Sequence, residues 1–276
     1  MIQKLWKRKL TWDTPAPVEV QKAWIQYRNE LPLLNDLRFD RCIMIPNSTE
    51  IQLHGFCDAS AKAYGACLYL RSSGTQGNHH CALICSKSRV SPLKTTSLPR
   101  LELRAALLLA QLYSATVKSL QLQFSKIYFW SDSTIALNWL NTPPHTLKTF
   151  EANRVAEIQE KTEGHEWPHV PTHDNPADLI SGGQGPQEFL NNEFWSHGPN
   201  WLSKKDDAWP QLNIKNHERS EVRESPPITS LKITLLGTNI LERLISRSKW
   251  QVTSDQSMIK LGTLVVIKED NLPPMM

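Results

Sequence analysis

The chain has 276 residues, a formal net charge of +4 at pH 7 and 40% apolar residues, which is enough for one or two domains with a buried core. The mild charge excludes a global electrostatic field that would by itself mark a nucleic-acid binder, and no apolar run is long enough to span a membrane. The basic N-terminus is not followed by the apolar core of a secretory signal, so we expect an intracellular protein, in the cytoplasm or the nucleus.

The first predicted element is a helix from Val18 to Leu31, which packs through Ala23, Trp24 and Tyr27. Three short stretches joined by turns follow, in IQLHGFCDAS, AYGACLYLR and HHCALICSKSRV. Their alternation of side chains and their short connections predict three strands in an antiparallel meander.

The five cysteines all lie in the first third of the chain, at Cys42, Cys57, Cys67, Cys81 and Cys85. Their odd number and the lack of a CxxC pair predict reduced thiols. The stretch HHCALIC contains zinc-type ligands, among them His79 and His80, but it alternates like a strand and has no second ligand pair. These features favour a strand over a zinc site.

A long helix is predicted from about Ser97, because Leu101, Ala105 and Leu108 recur at helical spacing. Next come the strand KIYFWSD, the helices STIALNWLN and LKTFEANRVAEIQEKT, the short strand HEWPHVP and the short helix NPADLISGG, with Asn175 as its cap. The order β-β-β-α-β-α-α-β-α predicts an α/β fold, with a mixed five-stranded sheet and helices on its faces. The periodicity fades after the last helix, so we expect partly ordered termini.

Four acidic residues fall at the ends of these elements: Asp58 and Asp132 end strands, and Glu102 and Asp178 lie in first turns of helices. If the two strands are parallel neighbours, both ends lie at one edge of the sheet. Crowded carboxylates repel each other and take up protons unless a positive charge compensates them. Magnesium prefers oxygen ligands, and two ions can activate a water and stabilise the leaving oxygen in phosphodiester hydrolysis.

Each of these acids also has an ordinary structural explanation. Asp132 can cap the helix that follows it, and Asp178 can favour the dipole of its helix. Glu102 can be a solvated helix residue, and Asp58 a turn former. The hypothesis of one metal site therefore depends on the four acids together.

The motifs FCDAS, AYGACLYL, PRLELRAALLLA, FWSDSTIAL and HVPTHDNPADLISGG occur in this order along the chain. Together they closely resemble the ribonuclease H region of Pol polyproteins from BEL/Pao-type LTR retrotransposons, over roughly residues 45 to 185. The resemblance implies a ribonuclease H-like fold and metal-dependent cleavage of the RNA strand of RNA/DNA hybrids during reverse transcription. It also implies two Mg²⁺ ions, with Mn²⁺ as an alternative.

The resemblance assigns catalytic and metal-binding roles to three acids that match its motifs: Asp58, Glu102 and Asp132. The fourth such acid is assigned to Asp178, with Asp174, four residues earlier, as the alternative. His173 matches the family's loop histidine, thought to assist proton transfer or product release, but it also fits an ordinary surface histidine because the Gly-rich loop that usually follows is missing. Hybrid binding requires contacts to phosphates and 2′-hydroxyls, for which the basic candidates around the start of the Glu102 helix are Lys87, Arg89, Lys94, Arg100 and Arg104.

The flanking segments resemble other parts of the same polyproteins. Residues 1–45 look like the tail that joins the reverse transcriptase to a ribonuclease H-like domain at 46–185, so the reverse transcriptase portion of a parent Pol is an implied partner. Residues 186–240, with GPNWL, resemble an integrase lead-in followed by a linker, which we expect to be disordered. Residues 241–276, with RSKWQ and KLGTLVVIKEDNLPP, resemble a truncated C-terminal end with a β-hairpin, so the chain looks like an internally deleted copy.

Two other functions compete with the ribonuclease. The same polyprotein region has been grouped as a Pao retrotransposon peptidase, but an aspartic peptidase needs an Asp-Thr/Ser-Gly loop, and the strings at Asp13 and Asp132 lack the glycine. A deleted copy can also persist as a non-catalytic nucleic-acid-binding relic, since the paired Asp motif of the polymerase and the zinc-binding set of the integrase are absent from the sequence.

Overall fold

A four-stranded mixed sheet forms the centre of the fold in the computed structural model, which describes residues 2–10, 13–38, 42–120, 122–190 and 192–210. The strands are β1 (Glu50–Ala59), β2 (Ala63–Ser73), β3 (His79–Val90) and β4 (Lys126–Ser131), in the order β3-β2-β1-β4. Strand β2 pairs antiparallel with β1 and β3, whereas β4 pairs parallel with β1. The predicted α/β class, with a meander followed by a parallel strand, is confirmed.

The helices cover both faces of this sheet. Within the described ranges the α-helices are α1 (Ile2–Lys7), α2 (Val18–Glu30), α3 (Leu98–Leu120), α4 (Thr134–Leu140), α5 (Thr149–Lys161), α6 (Asp178–Gly182), α7 (Pro186–Phe189) and α8 (Glu193–His197). Short 3₁₀ turns follow, among them Asn200–Ser203 and Asp206–Ala208. Among the described residues, no helix is both long and apolar enough to cross a bilayer.

Helix α2 has the predicted position but buries less than the sequence suggests. It starts at Val18 as expected and ends at Glu30. Val20 is its buried residue, whereas Trp24, which the periodicity places on the packing face, is 41% exposed. The prediction of a packing face through Trp24 is therefore wrong.

One face of the sheet packs against α3, α4 and α5 through apolar side chains, most of them aliphatic. Leu53 of β1 and Phe129 of β4 lie in the same cluster as Leu103 and Leu109 of α3. Helix α3 approaches β1 so closely that a Cβ atom added at Gly55 would lie 2.7 Å from Leu109 Cδ1. Shape complementarity between α3 and the sheet therefore defines this side of the core.

The other face carries aromatic and polar side chains. Phe56, Tyr69 and Trp130 point to this side, where Trp195 and Trp201 cover them. The cover consists of residues 193–210, which we call the strap. Its turns hold the strap against β2 and β3, because the Tyr69 hydroxyl donates to the carbonyl oxygen of Trp195 at 2.7 Å.

The strap differs from the expectation that residues 186–240 are disordered. Trp201 and Leu202, the end of the GPNWL stretch, are buried, and Arg71 binds the carbonyl oxygen of Leu202 at 2.7 Å. The physical reason is that an open sheet would expose a large aromatic surface to water. The rest of that segment, residues 211–240, and the hairpin expected within 241–276 lie outside the described residues.

The expected fifth strand, HEWPHVP, forms only isolated parallel bridges with β4, so five strands overstate the sheet. Three backbone bonds run along this stretch: Phe129 N to Glu166 O at 2.9 Å, Ser131 N to a proline carbonyl at 3.4 Å, and Val170 N to Ser131 O at 3.1 Å. Pro168 lies between the bridges and has no N–H to donate, which limits the ladder to these contacts.

Candidate functional site

The parallel pairing of β1 and β4 brings two acids to the same edge of the sheet. Cys57 pairs with Ser131 at the end of the two strands, so Asp58 and Asp132, the next residues on each, are neighbours. Both continue the side-chain alternation of the aromatic face, since Phe56 and Trp130 stand two residues earlier. The crossover topology therefore creates the juxtaposition that the sequence predicts.

Asp58 is buried, and its carboxylate lies among other acids. The hydroxyl of Ser181, in α6, donates a short hydrogen bond to Asp58 Oδ2. The pKa of Asp58 is raised to about 7, first by burial and then by the negative charges of Asp132 and Asp178, against the opposing effect of the Ser181 hydrogen bond. Near neutral pH, Asp58 therefore binds a proton part of the time.

Glu102 reaches the same edge from the first turns of α3. Its Oε2 atom accepts a short hydrogen bond from the hydroxyl of Ser133. Its pKa is raised, first by burial and then by the charge of Asp132, while the Ser133 hydrogen bond acts in the opposite direction. The electrostatic effects on Asp58 and Glu102 both include Asp132, which makes Asp132 the common neighbour of the two.

The interpretation of Asp132 as the cap of the following helix is wrong. Ser133 caps α4, because its side chain accepts from the backbone N–H of Ala136 at 3.1 Å. Asp132 is half-buried, and its Oδ1 atom accepts from Asn175 Nδ2 at 3.4 Å. The carboxylate of Asp132 is therefore available at the edge without serving the helix.

Asn175 is a site residue that sequence reasoning identified only as a helix cap. The prediction of a cap is wrong, because α6 begins at Asp178 with Ala177 at its cap position, and the Oδ1 atom of Asn175 accepts from the backbone N–H of Ala177, at 3.2 Å, before the helix starts. Its Nδ2 group donates both to the carbonyl oxygen of Cys57, at 3.0 Å, and to Asp132. Fully buried Asn175 thus connects the end of β1 to the end of β4, and its cap-like position before Pro176 gave no signal of this role.

The two candidates for the fourth acid occupy different surroundings. Asp178 begins α6 and is exposed, and its charge is one of those that raise the pKa of Asp58. Asp174 is half-buried and lies next to His173, with His173 Nε2 3.7 Å from Asp174 Oδ2. The His173 side chain is 81% exposed. The electrostatic coupling to Asp58 favours Asp178 over Asp174 as the fourth member of the edge.

The chemistry of these donors fits a hard divalent cation. All of them are carboxylate oxygens, and burial and neighbouring negative charge raise the pKa values of Asp58 and Glu102, a cost that a bound cation would remove. The side chains are not gathered around one point, however. Within the described ranges, no group of three or more His, Cys, Asp or Glu side chains is close enough to hold a metal ion, and two of the acids are held by serine hydroxyls.

The five predicted basic residues are distributed over β3, the connection before α3, and the first two turns of α3. Arg100 and Arg104 are two positions away from Glu102 on α3, which places them about 200° around the helix, on its opposite side. Arg100 Nε binds Glu151 Oε1 of α5 at 2.8 Å. Lys87 and Arg89 lie on β3, paired with Ala66 and Tyr64 of β2, and Lys94 is exposed in the connection before α3.

Residues 1–133 match the model of a family described as the Pao retrotransposon-like RNaseH-like domain. The matched range includes Asp58, Glu102 and Asp132 and ends before α4. No curated protein matches the chain in sequence.

Solved ribonuclease H structures are similar to parts of the chain. RNase H1 from the halophilic archaeon Halobacterium salinarum NRC-1 has 13% identity and a TM-score of 0.29, covering 46% of this chain and 90% of that one. The N-terminal RNase H domain of Rv2228c from Mycobacterium tuberculosis, solved as a fusion with maltose-binding protein, has 9% identity and a TM-score of 0.32, covering 49% and 92%. LC11-RNase H1 in complex with an RNA/DNA hybrid has 13% identity and a TM-score of 0.29, covering 46% and 88%.

Proposed function

We propose that this chain is a metal-dependent ribonuclease that cleaves the RNA strand of RNA/DNA hybrids during reverse transcription. The proposal starts from the match of residues 1–133 to the model of the Pao retrotransposon-like RNaseH-like domain. The observation that carries the proposal is the meeting of Asp58 and Asp132 at one sheet edge, together with the raised pKa values of Asp58 and Glu102. Neighbouring acids, one of them buried and two half-buried, are costly in a structural role, whereas they suit a cation-dependent site.

In this proposal four acids hold the cations: Asp58, Glu102, Asp132 and Asp178. Two Mg²⁺ ions, or Mn²⁺ in their place, would supply an activated water and stabilise the leaving oxygen of the phosphodiester. Asn175 acts as a positioning residue, since it holds the Asp132 carboxylate against the end of β1. Exposed His173, beside Asp174, is the candidate for proton transfer or product release.

The serine hydroxyls at the site are compatible with this proposal. Ser133 and Ser181 each donate to one oxygen of an acid, Glu102 Oε2 and Asp58 Oδ2, and the second oxygen of each carboxylate can share a ligand with Asp132. In the alternative, a non-catalytic relic, the chain only binds nucleic acid. The two alternatives therefore differ in cleavage and not in binding.

The substrate side of the proposal rests on the basic residues. Lys87, Arg89, Lys94, Arg100 and Arg104 are the candidates for phosphate contacts, which would position a hybrid without reading its sequence. Contacts to 2′-hydroxyls would distinguish the RNA strand from the DNA strand. The reverse transcriptase portion of a parent Pol is the proposed protein partner, through the segment of residues 1–45.

The test is cleavage of a labelled RNA/DNA hybrid by the purified chain with Mg²⁺. We expect RNA fragments from the natural sequence and cleavage at background for Asp132→Asn, because that change removes one acid at the shared edge. Glu163→Gln, which neutralises an exposed acid after α5, is the matched control and should cleave normally. Comparing Asp174→Asn with Asp178→Asn identifies the fourth acid, for which we expect loss only with Asp178→Asn.

Other outcomes of the same assay decide against the proposal. Hybrid binding without cleavage, in both Mg²⁺ and Mn²⁺, supports the relic. Casein turnover that pepstatin blocks supports the Pao-type aspartic peptidase. Cleavage that persists undiminished in Asp132→Asn shows that the sheet-edge acids are not the active site.

A further inference from the structure

Three arginines surround one phenylalanine between α3 and α5. The guanidinium carbons of Arg100, Arg104 and Arg154 lie 5.0, 5.4 and 3.6 Å from the ring centroid of Phe150. Arg100 and Arg104 come from α3, one helical turn apart, and Arg154 comes from α5. We call these four residues the arginine cluster. Three like charges on one ring repel each other, so the arrangement needs an explanation.

The negative charge beside the cluster does not balance it. Glu151 accepts from Arg100 at 2.8 Å and is the carboxylate in contact, which leaves three positive charges against one. Glu157, one to two turns further along α5, is bound to Gln111 and Lys161. The pKa of Arg154 is lowered, first by burial and then by the positive charge of Arg104, and the carboxylates of Glu151 and Glu157 oppose this shift only in part. The cluster is therefore electrostatically strained as it stands.

Hydrogen bonding within the cluster is also incomplete. The buried atoms Arg104 Nε, Arg154 Nε and Glu151 Oε2 have no hydrogen-bond partner among the described residues. Unpaired buried donors are costly and rare in proteins. The three arginines and Phe150 are nevertheless half-exposed as residues, so their outer guanidinium nitrogens can meet a ligand from solvent.

The helix axes add to the positive potential at this place. Arg100 contacts Glu151 and Gln111 contacts Glu157, so α3 and α5 run parallel and their N-termini lie at the same end. The arginine cluster occupies the first two turns of each helix. Helix N-termini attract anions, and here two of them reinforce the arginines.

The cluster lies on the α3 side of the sheet, next to the edge that carries the acids. Arg154 interacts electrostatically with Tyr64, and Tyr64 pairs with Ala59, the residue after Asp58. Arg89 of β3 is the other cross-strand partner of Tyr64. Cross-strand partners point to the same face of a sheet, so Arg89 and, two residues away, Lys87 continue the basic surface beside α3.

We propose that the arginine cluster is a binding site for the backbone phosphates of the nucleic acid whose scissile strand lies at the acidic edge. This inference rests on the proposed function and adds Arg154 and Phe150 to the substrate contacts. Arginine suits this task because its planar guanidinium donates two parallel hydrogen bonds to a phosphate. Phe150 holds three such planes in a fixed arrangement before the ligand arrives, which lowers the entropy lost on binding.

The inference is tested by fluorescence anisotropy with a labelled RNA/DNA hybrid in EDTA, over a series of salt concentrations, so that binding is measured without cleavage. For Arg104→Gln combined with Arg154→Gln we expect weaker binding and a salt slope that is shallower by about 0.9 per lost phosphate contact, or about 1.8 in all. Lys118→Gln removes a charge from the last turn of α3, about 21 Å away along the helix, and should leave the slope unchanged.

Thermal unfolding of the same variants separates a ligand site from a structural one. Since Arg104 and Arg154 repel each other, we expect Arg104→Gln to keep or raise the melting temperature while it weakens binding. A lowered melting temperature with an unchanged salt slope would overturn the inference, because the arginines would then only join the two helices. Arg154→Lys retains the charge, so we expect it to keep most of the slope.

The outcomes also separate this inference from the proposed function. If hybrid binding depends on the arginines but no cleavage occurs in Mg²⁺, the arginine cluster is a phosphate-binding site and the proposed ribonuclease activity is wrong. If Asp132→Asn abolishes cleavage but hybrid binding does not depend on the arginines, the ribonuclease activity is supported and the phosphate-binding role of the arginine cluster is wrong.

Discussion

The two faces of the central sheet are held by different kinds of interaction. On the α3 face, Leu103 and Leu109 fit against Gly55 and Phe129 with aliphatic contacts. On the strap face, the core includes a chain of polar groups that runs from the sheet into the strap. An aliphatic interface loses energy in proportion to the volume removed, whereas a buried polar network fails when one member loses its partner.

The polar chain on the strap face has four members. Trp130 Nε1 donates to His54 Nδ1 at 3.2 Å, so the hydrogen on the His54 ring is on Nε2, which donates to Gln52 Oε1 at 3.2 Å. Arg71 Nη1 donates to the same oxygen at 2.8 Å. The fully buried Arg71 also binds the carbonyl oxygens of Leu202 and Lys204 and forms an ion pair with Asp206 at 3.0 Å.

The largest expected effect on stability comes from removing the strap entirely. A chain ending at residue 185 lacks the strap and exposes Phe56, Tyr69 and Trp130. Burying the large side chains of the strap contributes about 2 kcal/mol or more each, a sum comparable with the whole stability of a domain. We expect the chain of residues 1–185 to aggregate or to bind the dye ANS, and the chain of residues 1–210 to fold.

Circular dichroism, ANS fluorescence and gel filtration measure this difference. A monomeric, cooperatively unfolding chain of residues 1–185 would show that the strap is dispensable. In that case the α3 face alone would be sufficient to stabilise the fold.

The next effect compares single changes on the two faces. Arg71→Leu leaves the carbonyl oxygens of Leu202 and Lys204 without this donor and removes the ion pair with Asp206, so we expect a loss of about 3–5 kcal/mol in the free energy of unfolding. Leu109→Ala is the matched change on the α3 face, for which the cavity costs about 2–5 kcal/mol. Urea unfolding gives both values.

The two variants should also differ in which part of the chain loses protection from protease. Since Arg71 binds Leu202 and Lys204, we expect Arg71→Leu to make residues 193–210 sensitive to protease before global unfolding, whereas Leu109→Ala should not. Equal protection of the strap in both variants would contradict the assignment of Arg71 as its main attachment.

The smallest expected effect is a dependence of stability on pH. Burial, and then the charge of Arg71, hold the pKa of His54 well below its ordinary value, so His54 is neutral in the folded chain. Below about pH 6.5 the unfolded chain binds a proton that the folded chain does not. Stability attributable to His54 therefore falls as the pH decreases from about 6.5.

The titration of Asp58 changes the stability in the opposite direction, so its effect on the free energy of unfolding must be separated from that of His54. The pKa of Asp58 is raised to about 7 in the folded chain, above the ordinary value of about 3.9, so its contribution falls as the pH increases between these two values. We therefore expect the difference in unfolding free energy between the natural chain and His54→Gln to shrink on acidification. A pH-independent difference, measured in EDTA, would contradict the neutral state of His54.

The features that the sequence predicted are those that depend on neighbouring residues. The alternation in β1 and β4 and the apolar spacing of α3 are local, and the connection between β1 and β4 made parallel pairing the expected topology. Because of that pairing, the sequence alone was enough to expect Asp58 and Asp132 at one edge of the sheet. Their catalytic role remains a proposal.

The features that were missed depend on contacts between distant residues. The tryptophans of the strap do not recur at helical or strand spacing. Arg71, which binds the strap, is 131 positions from Leu202 in sequence, so local sequence patterns do not reveal that the two segments pack together. The arginine cluster was recognised in part, through Arg100 and Arg104, because Arg154 joins it only when α5 packs against α3. Likewise, either Asp132 or Ser133 fits the cap position before α4, and only the geometry selects Ser133.

The attachment of Arg71 to the strap also fixes the order of events during synthesis of the chain. Strand β2 leaves the ribosome well before its partner at Lys204, which lies 133 residues later. At ordinary elongation rates this interval is about 7–27 s. Over that time the aromatic face of the nascent sheet has no intramolecular cover, and the acidic edge also stays incomplete until Ser181 and α6 emerge.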